Sequence, residues 1–447
     1  MAKAKKNKKP VLVERHHIPR NHIHYKECDM LCYVAKNLYN SSLYVVRQHF
    51  FKTNKFTDGK YIDKNGKEQN QWVYSNTYLY HAMKDSPEFR TKQHTEYNGL
   101  SVNTKALKQV YIQVNQAFSD HFVAKTDYKN NPGKYKGIPG LPNYKKKTGR
   151  VTMTFPKDAI GVVKIPGYVT LSGTNICIKL YRANKDNIKQ VKIVPLASGY
   201  DIVVSYEVGE VLTITNHSKY AAIDLGLNNL ATLTSNDTCF KPFIVNGRPL
   251  KSINQYFNKK KAKITSELPK NIYFSKKLGK LYTKRNHKIR DYMHKSSDYI
   301  VKQLIQSGIT CLIVGSNKHW KTSINIGSRN NQNFVSIPYY KFKNMLRYKC
   351  TLVGIEFIEH EESYTSKCSF LDMEDICKHV DANGSDCYVG KRVKRGLFRS
   401  GTNALINADM NGSYNILRKV AGNDIFVYND ISDLVEGYAV SPSRVTF

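Results

Sequence analysis

Three acidic stretches, far apart in the chain, hold the residues best suited to chemistry. Residues 220–233 read "YAAIDLGLNNLATL": an apolar run ends on one carboxylate, Asp224, and Gly226 permits a sharp turn into a second apolar run. Residues 406–419, "INADMNGSYNILRK", place Asp409 at the opening of an amphipathic helix. Between them, "EHEESYTSKC" at 359–368 sets Glu361 and Glu362 side by side after a third apolar run. Any one of these acids alone reads as a turn residue or a helix cap. Acids held on separate strands and a helix start are what a two-metal phosphodiester-cutting site requires.

The elements that must position them follow from the pattern around them. From residue 219 onward strands and helices mix, with strands predicted at 221–223, 230–233, 243–245, 310–314 and 354–358. Helices are predicted at 251–267, 275–307 and 339–350. This alternation suits a mixed sheet flanked by helices, compatible with an RNase H-like core. Residues 259–290 carry twelve Lys or Arg against one acid, Glu267. That imbalance favours a helix pair that tracks phosphates, with Lys276, Lys277, Lys284 and Arg285 as candidate contacts, over a merely solvated face.

The first half reads differently. A short strand at 10–13 precedes a His-rich polar stretch, "RHHIPRNHIH", expected as an exposed loop. An amphipathic helix at 29–51 presents Tyr39, Asn40, Tyr44, Arg47 and Gln48 as candidate contacts to RNA or DNA. Residues 53–71 form a polar insertion expected to be mobile, and a second helix spans 102–125, capped by Ser101 or Asn103. Residues 131–150 are rich in Pro, Gly, Lys and Arg, which enforce extended chain and favour phosphate contact. Six short strands between 151 and 208, separated by turns, suggest a small antiparallel barrel.

Bulk composition narrows the partner. The 447 residues carry a net charge of +35, and 31 tyrosines lie among many Lys and Arg. Such a surface suits a polyanion with bases to stack. Nine cysteines without a Cys-x-x-Cys pair fit a reduced, cytoplasmic protein. The basic tip, "MAKAKKNKKP", lacks the apolar segment of a secretory signal, and no apolar run reaches membrane-span length, so no membrane partner is expected.

Taken together, "AIDLGLNN", "HEESYTSKC", "GLFRS" and "INADMNGSYNIL" resemble the RuvC segments of TnpB, the transposon-encoded RNA-guided nucleases related to type V CRISPR effectors and Fanzor proteins. Pro139-x-x-Pro142-x-Tyr144-Lys145, "HKSSDYIV" from His294, the early "LYNSSLYVVRQ" and the late "EGYAVSPSR" add to the resemblance, which covers nearly the whole chain. It implies a multidomain α+β protein with an antiparallel β-barrel wedge domain (residues 1–25 and 136–215). A helical recognition domain is inserted at 26–135, and an RNase H-like α/β RuvC domain follows at 216–447. It further implies a guide RNA (omega RNA), a double-stranded DNA target beside a short flanking motif, and a monomeric ribonucleoprotein. Base pairing would read sequence while protein reads duplex shape.

By the same resemblance Asp224 and Asp409 take the places of the first and last catalytic acids, ligands to two Mg²⁺ ions, which favour carboxylate oxygens. The family's usual middle acid is absent: Gly315 stands there, followed by Ser316 and Asn317. Some relatives carry this glutamate just before the next Thr-Ser, a place that Glu362 matches, with Glu361 in reserve. Neighbours on a strand point to opposite faces, so only one of the two should reach the metals. The family's four-cysteine ribbon is degenerate here. Cys368, Cys377 and Cys387 are irregularly spaced, so the insertion at 366–398 is expected to fold without zinc. Arg392, Lys394, Arg395 and Arg399 are candidates to hold the scissile strand, and Tyr144 and Lys145 to touch nucleic acid. A nuclease-dead, RNA-guided repressor and a compact type V effector remain as alternative readings.

Overall fold

A computed structural model describes residues 10–63, 66–97, 99–162, 165–209, 217–316, 336–426 and 442–447. The basic tip before Pro10, the polar loop from Asn317 and most of "EGYAVSPSR" lie outside the described residues. The chain forms two compact units, Met1–Gly209 and Glu210–Phe447.

The first unit joins helices and strands on one hydrophobic core that runs from Ile18 to Tyr206. Strand β1 (Val11–Pro19) is followed by α1 (Tyr25–Thr53), the hairpin β2 (Thr57–Ile62) and β3 (Glu68–Trp72), then α2 (Asn76–Met83) and α3 (Thr104–Asn130). The strands β4 (Met153–Pro156), β5 (Ile160–Val162), β6 (Tyr168–Leu171), β7 (Cys177–Lys179), β8 (Ile188–Leu196) and β9 (Gly199–Glu207) complete it. Asn103 caps α3, its side chain accepting from the Lys105 N–H at 2.9 Å, and Asn54 in the left-handed region ends α1.

Two expectations are corrected here, and a third segment gains detail. No closed barrel forms among the described residues: the strands divide into a four-stranded antiparallel sheet, β1-β9-β8-β4, and a separate three-stranded sheet, β5-β6-β7. Short strands with frequent turns cannot distinguish one closed sheet from two open ones. The start of the His-rich stretch is strand, because β1 extends to Pro19 and pairs with β9 along its length. Glu14 anchors it by accepting from the N–H groups of Tyr181, Arg182 and Ala183 at 2.9, 2.9 and 3.2 Å. The insertion at 53–71 contains a β-hairpin.

The second unit centres on a six-stranded sheet. Its strands are β10 (Tyr220–Asp224), β11 (Asn229–Ser235), β12 (Phe243–Asn246), β13 (Cys311–Gly315), β14 (Glu356–His360) and β18 (Ser443–Val445). Their order is β14-β13-β10-β11-β12-β18. Strands β10, β11 and β12 run antiparallel as a meander, whereas β13 lies parallel to β10 and β14 parallel to β13. Helices α4 (Arg248–Ser266), α5 (Lys276–Gln306) and α6 (Tyr339–Leu352) precede a small sheet of β15 (Lys391–Lys394), β16 (Leu397–Arg399) and β17 (Leu405–Asn407). Helix α7 (Ala408–Ala421) follows directly.

Strand alternation sorts this unit into two cores. Leu312 and Val314 of β13 pack with Ile289, Ile300 and Phe342 from α5 and α6. Cys311 and Ile313 pack on the other face with Met410, Tyr414 and Leu417 of α7. Ala222 of β10 belongs to the α7 core as well, so residues 224 and 315, two further along each strand, continue on the α7 side. Among the described residues, no helix is long and apolar enough to cross a membrane.

Candidate metal centre and nucleic-acid cleft

Asp224 closes β10. Because Ile223 pairs with Val314 in parallel register, Gly315 comes level with Asp224 on the neighbouring strand. Helix α7 closes over both. A side chain at Gly412 would place its Cβ 2.9 Å from Asp224 Oδ2, so glycine there lets the helix approach the acid. A Cβ on Gly315 would collide with Glu362 Oε2 and lie 2.6 Å from Ile416 Cδ1. Glu362, two residues beyond β14, thus folds back over Gly315 into the corner beside Asp224.

Asp409 is the second residue of α7. The Asn407 side chain caps this helix, accepting from the N–H groups of Asp409 and Met410 at 3.0 and 3.3 Å. One carboxylate oxygen of Asp409 accepts from the Asn229 side-chain amide, and the other lies 3.6 Å from the Arg392 guanidinium.

The electrostatics couple these acids. Burial holds the Asp224 carboxyl well above its ordinary range, and the charges of Glu362 and Asp409 raise it further against Arg392. Burial, then Glu361, pushes the Glu362 carboxyl up to about 7, against the opposing pull of Lys343 and Lys419. Buried carboxyls held above their ordinary range are short of positive charge. The donor set is all hard oxygen, and Gly315 and Gly412 leave it room, so these residues fit divalent cations such as Mg²⁺. Glu361 is held differently. Despite partial burial, bonds from Ser363 and Lys419 keep its carboxyl below the usual range. Its oxygens accept from Ser363 N–H at 2.9 Å and Lys419 Nζ at 3.0 Å.

A tighter ligand group exists elsewhere in this unit. His217, Cys311 and Glu356 offer atoms within 4.8 Å of one another, whereas among the described residues the three acids form no group so compact. The His217 ring, however, already bonds Glu356 on one nitrogen and Thr310 Oγ1 at 3.1 Å on the other. It ties the chain entering β10 to the starts of β13 and β14.

A cleft of about 440 Å³ opens beside Asp409, lined by Asn229, Arg248, Arg392, Arg395 and Arg444 among others. Arg392 and Arg395 were expected near the site; Asn229, Arg248 and Arg444 carried no sequence signal strong enough to single them out. Asn229 lies in the "LGLNN" turn, five residues after Asp224, which is its faint trace. Arg399 sits half-buried on β16.

The zinc candidates do not converge. Cys368 is buried, its thiol bonded to Asp375 O at 3.3 Å, while Cys377 and Cys387 are exposed and all three are free. Cys377 has the His379 ring for a neighbour, 3.4 Å from Nε2.

The nucleic-acid candidates separate into bonded and open residues. Asn40 exchanges two hydrogen bonds with the Lys145 backbone, at 2.9 and 2.8 Å. Arg47 donates to Pro142 O at 2.6 Å and stacks over Tyr144, while Lys145 Nζ lies over the buried Tyr39 ring. Helix α1 therefore uses these residues to clasp the 142–145 segment. Tyr44 is exposed and Gln48 half-buried on the same helix. Arg285 donates to Asn254 Oδ1 at 2.8 Å and Ser336 O at 3.0 Å, tying α5 to α4. Lys276, Lys277 and Lys284 are exposed on α5, and Lys277 stands 3.8 Å from Glu267.

Residues 203–321 match the model of a family described as a probable transposase, and residues 339–416 that of a Cas12f1-like TNB domain. The TnpB-like protein ORF457 of Acidianus two-tailed virus is 23% identical over 243 residues, 51% of this chain and 48% of the relative. The chain thus spans about half the length of that curated relative. Among solved structures, a chain of the cryo-EM Cas12f1–sgRNA–target DNA complex superposes with a TM-score of 0.52 at 14% identity. That match covers 88% of this chain and 82% of the other. The fold is a mixed α+β, multidomain one that resembles Cas12 effectors. Both family models and the viral relative make the chain similar to TnpB-like proteins.

Proposed function

We propose that the protein is an RNA-guided DNA endonuclease, cutting target DNA beside a short flanking motif at a RuvC site built by Asp224, Glu362 and Asp409. The observation that carries this reading is the place of Glu362: its carboxylate fills the corner that Gly315 leaves beside Asp224. The meander β10-β11-β12 with parallel β13 and β14 supports an RNase H-like core. The TnpB-like relative and the Cas12f1 complex, whose name includes a single-guide RNA and target DNA, support RNA and DNA as partners. In this reading residues 1–25 and 136–215 are the wedge, 26–135 the recognition domain and 216–447 the nuclease. The particle is a monomeric ribonucleoprotein working in the cytoplasm.

Asp224, Glu362 and Asp409 would hold two Mg²⁺ ions, which supply water activation and stabilise the leaving oxygen. The chain's own residues prepare that chemistry. Arg392, Arg395 and Arg248 line the cleft beside Asp409 and would hold the phosphates of the strand to be cut and offset their charge. The raised Glu362 carboxyl makes ligand binding proton-linked, because the site takes a cation only as its protons leave.

The test is purification from cells that also express DNA flanking the gene, sequencing of bound RNA, and challenge of the complex with matched plasmid and Mg²⁺. Cleavage lost in Asp224→Ala, Glu362→Ala and Asp409→Ala supports the reading. Guided binding by wild type without cleavage moves the protein to the repressor class, for which Gly315 is the sole argument.

A further inference from the structure

We propose that Arg444 is a positioning residue for Asp409, acting through the side-chain amide of Asn229; this rests on the metal-centre reading above. Strand β18 runs parallel to β12, with Arg444 opposite Ile244. The residues that follow it are anchored. Asn246 Nδ2 donates to Thr446 Oγ1 at 3.0 Å, and the Phe447 ring packs against Tyr292 and Tyr299 with centroids 6.0 and 5.5 Å away. From there Arg444 donates to Asn229 Oδ1 at 2.9 Å, and Asn229 Nδ2 donates to Asp409 Oδ2.

The chemistry of these groups fixes the direction of the chain of bonds. A guanidinium has donors and no acceptor, so it can meet only the oxygen of the Asn229 amide. That choice turns the Asn229 nitrogen toward Asp409, where an oxygen would repel the carboxylate. With Oδ2 engaged, the Asp409 carboxylate cannot spin, and Oδ1 is left on the side of Arg392. Arg444 thus sets the orientation of an acid it does not touch. None of the three groups depends on a neighbour in sequence: 229, 409 and 444 come from β11, α7 and β18.

The test measures Mn²⁺ binding to the full chain by electron paramagnetic resonance, without nucleic acid, beside oligonucleotide affinity in EDTA. Arg444→Met and Asn229→Ala should each weaken Mn²⁺ binding about fivefold, the worth of one lost hydrogen bond. Asn229→Ala/Arg444→Met should be no worse than Asn229→Ala alone, because one relay is being broken twice. Arg444→Lys, another donor without an acceptor, should restore binding to within about twofold of wild type. Unchanged Mn²⁺ binding with weaker oligonucleotide binding in Arg444→Met would make Arg444 a phosphate contact and overturn the proposal. So would additive losses in the double variant, or failure of Arg444→Lys to rescue. If Asp409→Asn binds Mn²⁺ as wild type does, the metal-centre reading itself falls, which the Arg444 variants alone could not produce.

Discussion

The carboxylate of Glu362 occupies the space that a side chain on Gly315 would need. The acid that the strand end lacks is supplied by a residue 47 positions later, folded back over the vacancy. The two positions are therefore exclusive. Glu362→Ala should lower guided cleavage by about 10²–10³-fold, the cost of removing a group that organises transition-state charge. Gly315→Glu should also fail, since its side chain collides with Glu362 and Ile416. Gly315→Glu/Glu362→Ala should recover activity relative to either single variant in a plasmid-cleavage assay. A double variant no better than Glu362→Ala would show that the strand-end position cannot substitute.

The raised carboxyls make a prediction of sign. Glu362 titrates near 4.5 when unfolded and about 7 when folded, so the folded protein binds the extra proton between these values. Its stability contribution is full below about pH 4.5 and is lost as pH rises through 7. Asp224 shifts in the same direction. In EDTA at pH 8, Glu362→Gln should therefore raise Tm by several degrees, and the gain should vanish near pH 4.5. Added Mg²⁺ should stabilise wild type more than the variant. Differential scanning fluorimetry across pH, with and without Mg²⁺, reads all of this, and a destabilised Glu362→Gln at pH 8 would contradict it.

Glu361 answers to a separate account. Its hydrogen-bond partners are Ser363 and Lys419. Glu361→Gln should leave cleavage within about threefold of wild type and cost no more than about 1 kcal/mol, as exposed ion pairs do. A hundredfold loss of cleavage would exchange the roles of the two glutamates.

The candidate acids could be singled out in the sequence because strand ends and a helix start leave local patterns, and because the resemblance to TnpB supplies the Thr-Ser landmark before which Glu362 stands. What surrounds them could not. Asn229 meets Asp409, and Arg444 meets Asn229, through strand order, which no local pattern records. The barrel expectation failed because short strands carry no label for the sheet they join. Asn40, Arg47, Tyr144 and Lys145 are candidate nucleic-acid contacts by type. Polar and aromatic residues of that type equally well clasp an extended segment to a helix.

That clasp separates two kinds of variant. Replacing Lys276, Lys277 and Lys284 with Gln should weaken nucleic-acid binding and lower the salt slope by roughly 2–3, since each exposed lysine releases about one counterion. Asn40→Ala instead strips two backbone bonds from Lys145. It should lower Tm with little change in salt slope, measured by titration over 50–200 mM salt.

Helix α7 holds Glu362 from behind with a buried polar face. Asn411 and Asn415 donate to Cys368 O, both at 2.8 Å, and Asn415 also to Thr365 O at 2.9 Å. Arg418 donates to Met373 O at 2.9 Å and to Asn415 Oδ1 at 2.9 Å. Thr365 in turn donates from its hydroxyl to Glu362 O at 2.8 Å. Asn415→Ala removes the donor to the Thr365 carbonyl and one of two donors to that of Cys368, at a cost of about 1–3 kcal/mol, and loosens the segment that carries the acid. Hydrogen exchange should rise across 362–374 more than in the strands β10 and β13, and cleavage should fall together with Mn²⁺ affinity. Uniform loss of protection over the whole unit would make Asn415 a packing residue and leave the placement of Glu362 to other contacts.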